Sequence, residues 1–562
     1  MRKNSYTADF ETTTDIDDCR VWAWGVASIT SCETEMIGSD IHSFINYINN
    51  QNIDIYFHNL KFDGEFIVSY LLSIGMEHSR ERKAMTFETL IADNGQWYGI
   101  IIYWSIHKKR QVKTCIYDSL KKLPFTVEKI AKDFNLPIQK GSIDYKKHRP
   151  IGYKITENEI DYLKNDIEIM AMALSKQFGA GLKKMTIGSD ALSNFKKSLD
   201  GSKKSKQVFE SYFPKLDFET DADIRRAYKG GFSYLNPKFK GVHLQGNVYD
   251  VNSLYPSIMR NKMLPYGEPV FFIGKYEEVT MYPLYIQRIT CSFELRENHI
   301  PMVQLRNHSQ FIQTEYLSSS RDEIIELVLC SVDLELFLKH YKTYNLEYQD
   351  GYMFKGSNTF FVNYIDYWGH IKETTKGAER QIAKLMLNSL YGKFASSTKR
   401  RNKTPYLKGD GVVGYIDDQE TRIKPVYTAL ALFVTAYGRQ ITIGGAQANY
   451  ERFIYCDTDS LHLVGYEHPD NIKLHKTHLG YWDFECQFSD SKFLRAKTYM
   501  QYYDNEWHIT CAGMPSKLHD QVTFDNFKVG TRYTGKLTHT HAKGGIVLLD
   551  ADFVIREPAT SS

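Results

Sequence analysis

Two aspartates, Asp457 and Asp459, interrupt the otherwise apolar stretch FIYCDTDSLHL at residues 453–463. If this stretch is a strand, residues two apart share a face, so both carboxylates point the same way. Neighbouring buried anions repel each other unless a cation joins them, and a hard divalent ion prefers such oxygen ligands. The alternative is that Asp-Thr-Asp forms only a polar turn at a hairpin tip. Other carboxylates in matching settings would favour the metal site.

A third carboxylate, Asp250, closes the β-prone run NVYDV and is followed by a tight Asn-Ser turn. Three acids at the ends of apolar strands suit two magnesium ions, which together activate an attacking hydroxyl and stabilise a leaving pyrophosphate. This pattern predicts a site for phosphoryl transfer. Because large insertions separate its parts, the site must be assembled over long sequence distances.

A helix predicted over residues 378–394 has the residue types that a nucleoside triphosphate needs. Arg380, Lys384, Asn388 and Tyr391 are spaced by four, four and three residues, hence on one face. Cations at one end suit phosphates, and an amide with an aromatic ring at the other suits a base. Lys372 lies just upstream and could reach the same phosphates. A surface helix with scattered charges is the alternative.

A second set of acids lies near the amino terminus. Asp9 and Glu11 are two apart in the strand-like ADFETTT, Asp63 follows in FHNLKFDG, and Asp166 lies on a predicted helix one turn after Tyr162. Four carboxylates converging from strands and a helix predict a second two-metal site, in which a tyrosine orients the attacking water. Taken singly, each acid is more often a surface residue or a helix cap.

Composition sets limits on the class of protein. A chain of 562 residues and 65.3 kDa predicts several domains, and a hydrophobic fraction of 42% indicates a globular protein. The 8 cysteines include no C-x-x-C pair, which argues against a zinc site or a disulfide framework and for a reducing compartment. The amino terminus lacks a signal peptide, and no apolar run reaches about 18 residues. We therefore expect a soluble, cytoplasmic protein without a membrane partner.

The positions of basic clusters are more informative about a nucleic-acid partner than the net charge of +3. Lysines and arginines gather at 146–149, 203–206 and 399–403. Each cluster alone is by default a solvated patch. Together with 39 tyrosines, they suit a groove that holds phosphates and stacks bases.

The order of elements suggests the domain organisation. The first 170 or so residues mix strand-like and helix-like runs in an α/β pattern, and the polar segment 195–206 reads as a linker or exposed loop. Residues 399–421 contain two strand-like runs joined by Gly-Asp-Gly, which predicts a β-hairpin arm. We expect this arm to contribute little to a core.

The motifs DVNSLYP, K-x-x-x-N-S-x-Y-G and YCDTDS resemble motifs A, B and C of the family B DNA polymerases. The chain resembles the protein-primed members of that family over nearly its full length. The resemblance implies an α/β and α+β multidomain fold, with a ribonuclease H-like exonuclease domain and a right-hand polymerase that carries two insertions. The implied bounds are exonuclease 1–189 and polymerase 190–562, comprising palm 190–261 and 422–510, terminal-protein region 1 262–359, fingers 360–398, terminal-protein region 2 399–421 and thumb 511–562.

Resemblance also assigns the site residues. The implied catalytic residues are Asp250, Asp457, Asp459, Asp9, Glu11, Asp63, Asp166 and Tyr162, and the metal ligands are the seven acids with Val251. The implied dNTP contacts are Val251, Ser253, Leu254, Tyr255, Lys372, Arg380, Lys384, Asn388 and Tyr391. The implied DNA contacts are Thr12, His58, Asn59, Phe62, Phe66, Ser119, Leu120, Lys140, Tyr228, Gly230, Gly231, Thr435, Arg439, Lys497 and Tyr499.

The implied activity is protein-primed, DNA-directed DNA synthesis with a 3′-5′ exonuclease and strand displacement, on a linear phage-type genome. The implied cofactor is Mg²⁺, two ions per active site, with Mn²⁺ able to substitute. The implied partners are template and primer DNA, dNTPs and a terminal protein primer, for a monomer in the cytoplasm of a bacterial host. Two alternatives stay open: a nuclease whose other half only binds DNA, and a non-catalytic replication scaffold.

Overall fold

The computed structural model describes residues 4–107, 110–201, 204–305, 308 and 310–557. The first part of the chain is built on an eight-stranded mixed sheet with the strand order β3-β2-β1-β4-β8-β7-β6-β5. The strands are β1 (Asn4–Thr12), β2 (Val21–Ser28), β3 (Thr34–Gly38), β4 (Ile53–Phe57), β5 (Glu77–His78), β6 (Thr86–Ile91), β7 (Trp97–His107) and β8 (Arg110–Asp118). The helices are α1 (Ile41–Ile48), α2 (Leu60–Ser73), α3 (Val127–Asp133) and α4 (Glu157–Gly179).

Helix α4 packs against β1 and β2 through an apolar face. Thr156 and Glu159 form a capping box at its amino terminus. Leu163, Ile167 and Met170 are buried against the sheet. This packing carries acids of α4 towards acids of β1.

The next segment joins the two halves of the molecule. It contains α5 (Ile187–Ser198), α6 (Ser205–Tyr212), α7 (Phe218–Arg226), β9 (Ser233–Leu235), β10 (Gly246–Val251) and α8 (Leu254–Asn261). The loop predicted at 195–206 is wrong for its first four residues, which belong to α5, and for its last two, which belong to α6. Phe195 is fully buried and stacks on Phe361 with ring centroids 4.4 Å apart, so this packing outweighs the polar local composition. Ser202 and Lys203 lie outside the described residues.

The predicted insertion 262–359 is an antiparallel sheet with one helix, in the strand order β11-β14-β12-β13. Its elements are β11 (Leu264–Ile273), β12 (Leu284–Leu295), β13 (Ile325–Cys330), α9 (Ser331–His340) and β14 (Tyr341–Ser357). Three helices follow: α10 (Val362–Thr374), α11 (Gly377–Ser389) and α12 (Tyr391–Phe394). The helix predicted over 378–394 is confirmed, with an interruption at Leu390.

The last part of the chain contains the acidic hairpin and several small sheets. A five-stranded antiparallel sheet has the order β21-β10-β20-β19-β9, and β22, β23 and β24 form a separate sheet. The elements are β15 (Lys399–Arg400), β16 (Lys403–Leu407), β17 (Val413–Asp417), β18 (Thr421–Arg422), α13 (Thr428–Ala448), β19 (Phe453–Asp457), β20 (Ser460–Val464), β21 (Trp482–Phe488), β22 (Asp490–Arg495), β23 (Thr498–Tyr503), β24 (Glu506–Cys511), β25 (Arg532–Ala542) and β26 (Gly545–Val554).

The hairpin arm predicted at 399–421 is confirmed, because β16 pairs with β17 and β15 with β18. The expectation that this arm adds little to a core is wrong. Val413 is buried in the same hydrophobic cluster as Phe66 of α2, and Ile546 and Val547 of β26 join that cluster. Helix α2 is apolar on nearly every side, so the two hairpins cover faces that the eight-stranded sheet leaves open.

None of the helices in the described part of the chain is long and apolar enough to cross a membrane. The implied domain boundaries stay predictions. The one between 189 and 190 falls within α5, and the one at 511 falls on the last residue of β24.

A buried ion pair ties α5 to the first part of the chain. Lys122 and Asp190 approach to 2.5 Å with side chains 0% and 2% exposed. We expect Lys122→Met to lower the free energy of unfolding by about 3–5 kcal/mol, because it leaves a buried carboxylate without its cation. The measurement is the midpoint and slope of chemical denaturation.

Lys129 serves as the control, since its pair with Asp133 is largely exposed on the lysine side. Lys129→Met should cost less than about 1 kcal/mol. Equal effects of the two variants would contradict a special role for the buried pair.

Candidate active sites

The first candidate site is built at the centre of the five-stranded sheet. Asp250 lies near the end of β10, opposite Ser460 of β20, and the β19–β20 hairpin carries Asp457 and Asp459. Thr458 between them has φ of +58°, which turns the chain sharply. The amide of Val251 donates to the carbonyl of Asp459 at 2.8 Å. All three aspartates line one cavity of about 330 Å³.

Burial and like charge dominate the electrostatics of this cavity. Burial, followed by the charges of Asp459 and Glu485, raises the pKa of Asp250 to about 7. Burial also raises the pKa of Asp459, with Asp457 and Glu485 adding to the rise. The nearest cation is Lys497, whose Nζ lies 3.5 Å from Asp457 Oδ2. The first cavity is therefore rich in oxygen ligands and poor in positive charge.

This donor set fits a hard divalent cation, which would relieve the repulsion among the carboxylates. The chain would hold it with Asp250 and Asp459, and with Asp457 in support. Among the described residues, no three His, Cys, Asp or Glu side chains are already close enough to hold a metal ion. The acids therefore line one cavity, but no three of them lie close enough to each other to hold a metal ion.

Glu485 was missed by the sequence analysis. It lies on β21, lines the first cavity and acts on both Asp250 and Asp459. Burial raises its own pKa, and Asp483 adds to the rise. The signal was present in WDFECQF, where two acids again stand two apart in a strand with apolar neighbours. No turn or motif marked the segment, so the pattern was passed over.

The predicted nucleotide-binding face is present on α11. Arg380, Lys384 and Asn388 are exposed, while the apolar residues of that helix are buried beneath them. Lys372 Nζ donates to Ser253 Oγ at 2.8 Å, and Arg380 donates to the carbonyl of Lys372. Burial lowers the pKa of Lys372, followed by repulsion from Lys384 and Arg380. Three cations therefore lie close together, and a bound polyphosphate would relieve the repulsion among them.

Tyr255 and Tyr391 close the other end of this face. Their ring centroids lie 4.3 Å apart. A Cβ at Gly438 or at Gly231 would stand 3.0 Å from the Tyr255 ring or hydroxyl, so both glycines make room for it. Leu254 is buried at the start of α8. Tyr255 is therefore held between Tyr391, Gly438 and Gly231, which lie on three separate segments.

Two of the predicted DNA contacts lie on α13 and support a neighbouring loop. Thr435 and Arg439 are buried on α13. Arg439 donates to the carbonyls of Lys229 and Gly230 and pairs with Asp333 at 2.5 Å. Thr435 donates to the carbonyl of Lys229 at 2.7 Å. Both side chains support the loop 228–231, and Arg439 also lines the cavity beside that loop.

No sequence pattern pointed to Asp333, because its ion-pair partner Arg439 lies 106 positions away in the chain. It belongs to α9 in the insertion 262–359, so one buried ion pair joins that insertion to α13 and the loop 228–231. Tyr228, Gly230 and Gly231 of this loop line a cavity of about 470 Å³. Tyr499 lines the first cavity and stacks on Phe493.

The second candidate site is a separate cavity of about 1080 Å³. Asp9 and Glu11 extend from β1, Asp63 from α2 and Asp166 from α4 to line it. Burial, followed by the charge of Asp166, raises the pKa of Asp9 to about 7. Burial, with the charge of Asp9 next, also raises the pKa values of Glu11 and Asp63. The four predicted acids are therefore brought together.

This second cavity also fits a divalent cation. Asp166 Oδ1 is buried without a hydrogen-bond partner among the described residues, so one carboxylate oxygen remains available as a ligand. Its other oxygen accepts from Lys140 Nζ at 2.7 Å. Tyr162 shares a hydrogen bond of 2.6 Å with Tyr145, a residue that the sequence analysis missed.

The predicted strand-holding residues divide into two groups. Thr12, Asn59 and Phe62 line the second cavity with Lys140 and are open to it. Phe66 and Ser119 are buried in the structure, and their assignment as DNA contacts stays a prediction.

Hydrogen bonds explain the positions of the remaining predicted contacts. Both ring nitrogens of His58 are engaged, by Ser119 Oγ and by the carbonyl of Phe125. Asp118 accepts from the amides of Asn59 and Leu120. The sequence analysis missed Asp118, although it directly precedes Ser119 in YDSLKKLP. It orients two of the predicted contacts through their backbone.

Comparisons with known proteins agree with this arrangement. The family model for DNA polymerase type B, organellar and viral, matches residues 45–477. The DNA polymerase of Bacillus phage B103 is 48% identical over 99% of this chain and 100% of its own length. The DNA polymerases of Bacillus phage phi29 and Streptococcus phage Cp-1 are 47% and 33% identical, over 99% and 98% of this chain and 100% and 98% of their own lengths.

Solved structures give the same result. Phi29 DNA polymerase complexed with primer-template DNA and incoming nucleotide substrates matches with a TM-score of 0.94 and 46% identity, over 99% of this chain and 100% of that one. Its complex with single-stranded DNA matches with a TM-score of 0.93. The multidomain fold, an exonuclease domain with a palm, fingers and thumb polymerase, is thereby confirmed. The chain belongs to the viral type B DNA polymerases and is a DNA-directed DNA polymerase of the phi29 type.

Proposed function

We propose that this polymerase also carries a 3′-5′ proofreading exonuclease, starts synthesis on a protein primer and displaces the strand ahead of it. The observation that carries the exonuclease is the second cavity, where four acids from three elements meet Lys140 and Tyr162. We infer Mg²⁺ as the cofactor, two ions per site, with Mn²⁺ able to substitute. The proposed partners are primer-template DNA, dNTPs and a terminal protein, bound by a monomer in the cytoplasm of a bacterial host.

In the polymerase site, the primer 3′-hydroxyl attacks the α-phosphate of a dNTP and pyrophosphate leaves. Bound divalent ions supply charge stabilisation to the attacking and leaving oxygens. Arg380, Lys384 and Lys372 hold the triphosphate, as the mutual repulsion of these three cations supports. Tyr255 lies under the sugar, and the Lys497 ammonium orients the Asp457 carboxylate.

In the exonuclease site, the frayed primer end lies across the second cavity. Tyr162, itself held by Tyr145, orients the attacking water. The Lys140 ammonium fixes one oxygen of Asp166, which leaves the other oxygen for a ligand. Thr12, Asn59 and Phe62 line the path of the single strand.

The two insertions are proposed to grip the terminal protein and the template. The insertion 262–359 is braced against α13 by the Arg439–Asp333 pair. The arm 399–421 docks on α2 through Val413 and Tyr415, beside the β25–β26 hairpin. The arm 399–421 and the β25–β26 hairpin both pack on α2, which supports a closed clamp around DNA. Such a clamp would favour long products. A nuclease without synthesis, or a scaffold without either activity, would fail a primer-extension assay with magnesium and dNTPs.

The two sites should be chemically separable, because their acids come from different domains. Asp457→Asn should lower primer extension by at least about 100-fold and spare degradation of single strands. Asp9→Ala with Asp63→Ala should do the reverse. Gel assays of extension and of degradation on the same labelled primer measure both. Loss of both activities from one folded variant would sink the two-site model.

Sugar selection should depend on the ring of Tyr255, since a rigid ring under the deoxyribose clashes with a 2′-hydroxyl. Tyr255→Val should reduce the preference for dNTPs over rNTPs by about 10-fold or more, or about 1.4 kcal/mol. The ratio of kcat/KM values measures this preference. Tyr255→Phe is the control and should keep it; an unchanged ratio in the valine variant removes Tyr255 from this role.

Metal binding at the polymerase site should release protons in a pH-dependent manner. With its pKa raised to about 7, Asp250 is mostly protonated at pH 6 and mostly ionised at pH 8. Mn²⁺ binding should therefore release roughly 0.8 proton more at pH 6 than at pH 8 from this group alone. Calorimetry in buffers of different ionisation enthalpy measures the release.

The Asp9→Ala, Asp63→Ala background removes acids of the exonuclease site from this measurement. Adding Asp250→Asn should shrink the difference in proton release between the two pH values by the roughly 0.8 proton assigned to this group. A release that stays the same at both pH values would contradict the raised pKa of Asp250.

A further inference from the structure

One buried acid lines neither of the acid-lined cavities. Glu65 of α2 is 2% exposed, and it lies where three distant segments of the chain meet. Its Oε2 accepts a hydrogen bond of 2.8 Å from the Tyr415 hydroxyl of the arm 399–421. The same oxygen lies 3.6 Å from His541 Nδ1 of the β25–β26 hairpin. A single carboxyl group therefore contacts both hairpins that cover α2.

The two hairpins also contact each other beside Glu65. The rings of Tyr415 and His541 meet edge to face, with centroids 6.2 Å apart. At the tips, a Cβ on Gly411 would stand 3.2 Å from Lys543 Cγ, so the turn of the arm touches the turn of the β25–β26 hairpin. Because the arm follows α12 and the hairpin follows β24, this contact closes a loop of protein.

Apolar contacts lie beside the polar ones. Val413, Ile546 and Phe66 belong to one buried cluster. A Cβ on Gly545 would stand 2.5 Å from Phe66 Cδ1, so β26 lies directly on α2. Apolar burial is non-directional and does not by itself fix how the hairpins sit on the helix. The hydrogen bond to Glu65 has a defined geometry, so it fixes the closed position.

Burial makes the Glu65 carboxyl depend on these partners. Burial raises the pKa of Glu65 to about 7, and the hydrogen bond from Tyr415 is the largest effect that opposes this rise. Burial also lowers the pKa of His541, and neighbouring charges add to that change: those of Lys408, Lys61 and His539. Both groups regain water when the hairpins separate, and this hydration offsets part of the lost contact. A contact with such a polar centre opens more readily than an apolar core.

The base of the arm has anchors of its own. Arg80 pairs with Asp418 at 2.8 Å and donates to the carbonyl of Lys403 at 3.2 Å. The amide of Asp93 donates to the carbonyl of Arg401 at 2.9 Å. These contacts hold the base of the arm on the first part of the chain. Loss of the Glu65 contacts would therefore free the tip of the arm and leave its base in place.

We propose that Glu65, Tyr415 and His541 form a latch that holds the arm 399–421 and the β25–β26 hairpin closed on α2. Opening of this latch is the step through which DNA without a free end enters and leaves the protein. The inference rests on the clamp proposed above and names the contact that controls it. Closure through one shared carboxyl group makes the two hairpins separate from α2 together.

The probe is a gapped duplex with a primer end inside the gap, whose two outer ends are either free or capped by streptavidin. Fluorescence of a dye at the gap, in EDTA with excess competitor DNA, measures the lifetime of each complex. The parental protein should stay longer on capped DNA, because a closed loop slides off free ends only. Tyr415→Phe should leave capped DNA about 10-fold faster than the parental protein, since it deprives the buried Glu65 carboxyl of its hydroxyl donor.

A double variant separates the latch from lost packing. Glu65→Met with Tyr415→Phe replaces both polar groups by apolar ones of similar volume, so it should restore at least the parental lifetime on capped DNA. Arg80→Gln is the matched control, because it removes an ion pair at the base of the same arm. It should keep the parental lifetime.

The outcomes distinguish the latch from the clamp on which it rests. Equal lifetimes of the parental protein on capped and free-ended DNA would overturn the clamp, and the latch with it. If the caps do retain the parental protein, three results would overturn the latch alone: an unchanged lifetime for Tyr415→Phe, equal shortening by Arg80→Gln, or no restoration in the double variant.

Discussion

Like-charged carboxylates that must lie together at buried strand ends are the constraint on which this structure depends. In each cavity, burial and repulsion from a neighbouring carboxylate raise the pKa of one aspartate to about 7, Asp250 in the first and Asp9 in the second. Such an arrangement destabilises the folded state, so a rigid framework has to hold the carboxylates in place. The five-stranded sheet imposes it in one site. In the other, β1, α2 and α4 impose it by converging on one point.

Helix α2 shows how the framework for one site also organises the rest of the molecule. It presents Asp63 to the exonuclease cavity and offers its apolar outer face to two hairpins. Glu65, two residues further on, accepts a hydrogen bond of 2.8 Å from Tyr415 of the arm, and burial raises the pKa of Glu65 to about 7. The acid-bearing helix and the arm 399–421 are thus one packed unit.

Helix α13 plays the corresponding role in the polymerase half. Its buried Arg439 holds the carbonyls of the loop 228–231 and pairs with Asp333 of the first insertion. Its Gly438 gives space to the Tyr255 ring. Breaking a buried pair of this kind leaves an unpaired charge, so the position of the insertion and that of the loop are coupled. One helix therefore links the wall proposed to bind the nucleotide to the surface proposed for the terminal protein.

The sequence by itself determined the chemistry: seven acids, the cationic face of α11 and the hairpin turn at Thr458 are local patterns of spacing. Only the tertiary structure decided which side chains are exposed. It buried Phe66, Ser119, Thr435 and Arg439, extended α5 through Phe195, and docked the arm 399–421 on α2. Asp333 had no sequence signal for the same reason, whereas Glu485 had one in WDFECQF that no turn or motif marked. Periodicity reports which residues share a face, whereas burial and pairing depend on partners far away in the chain.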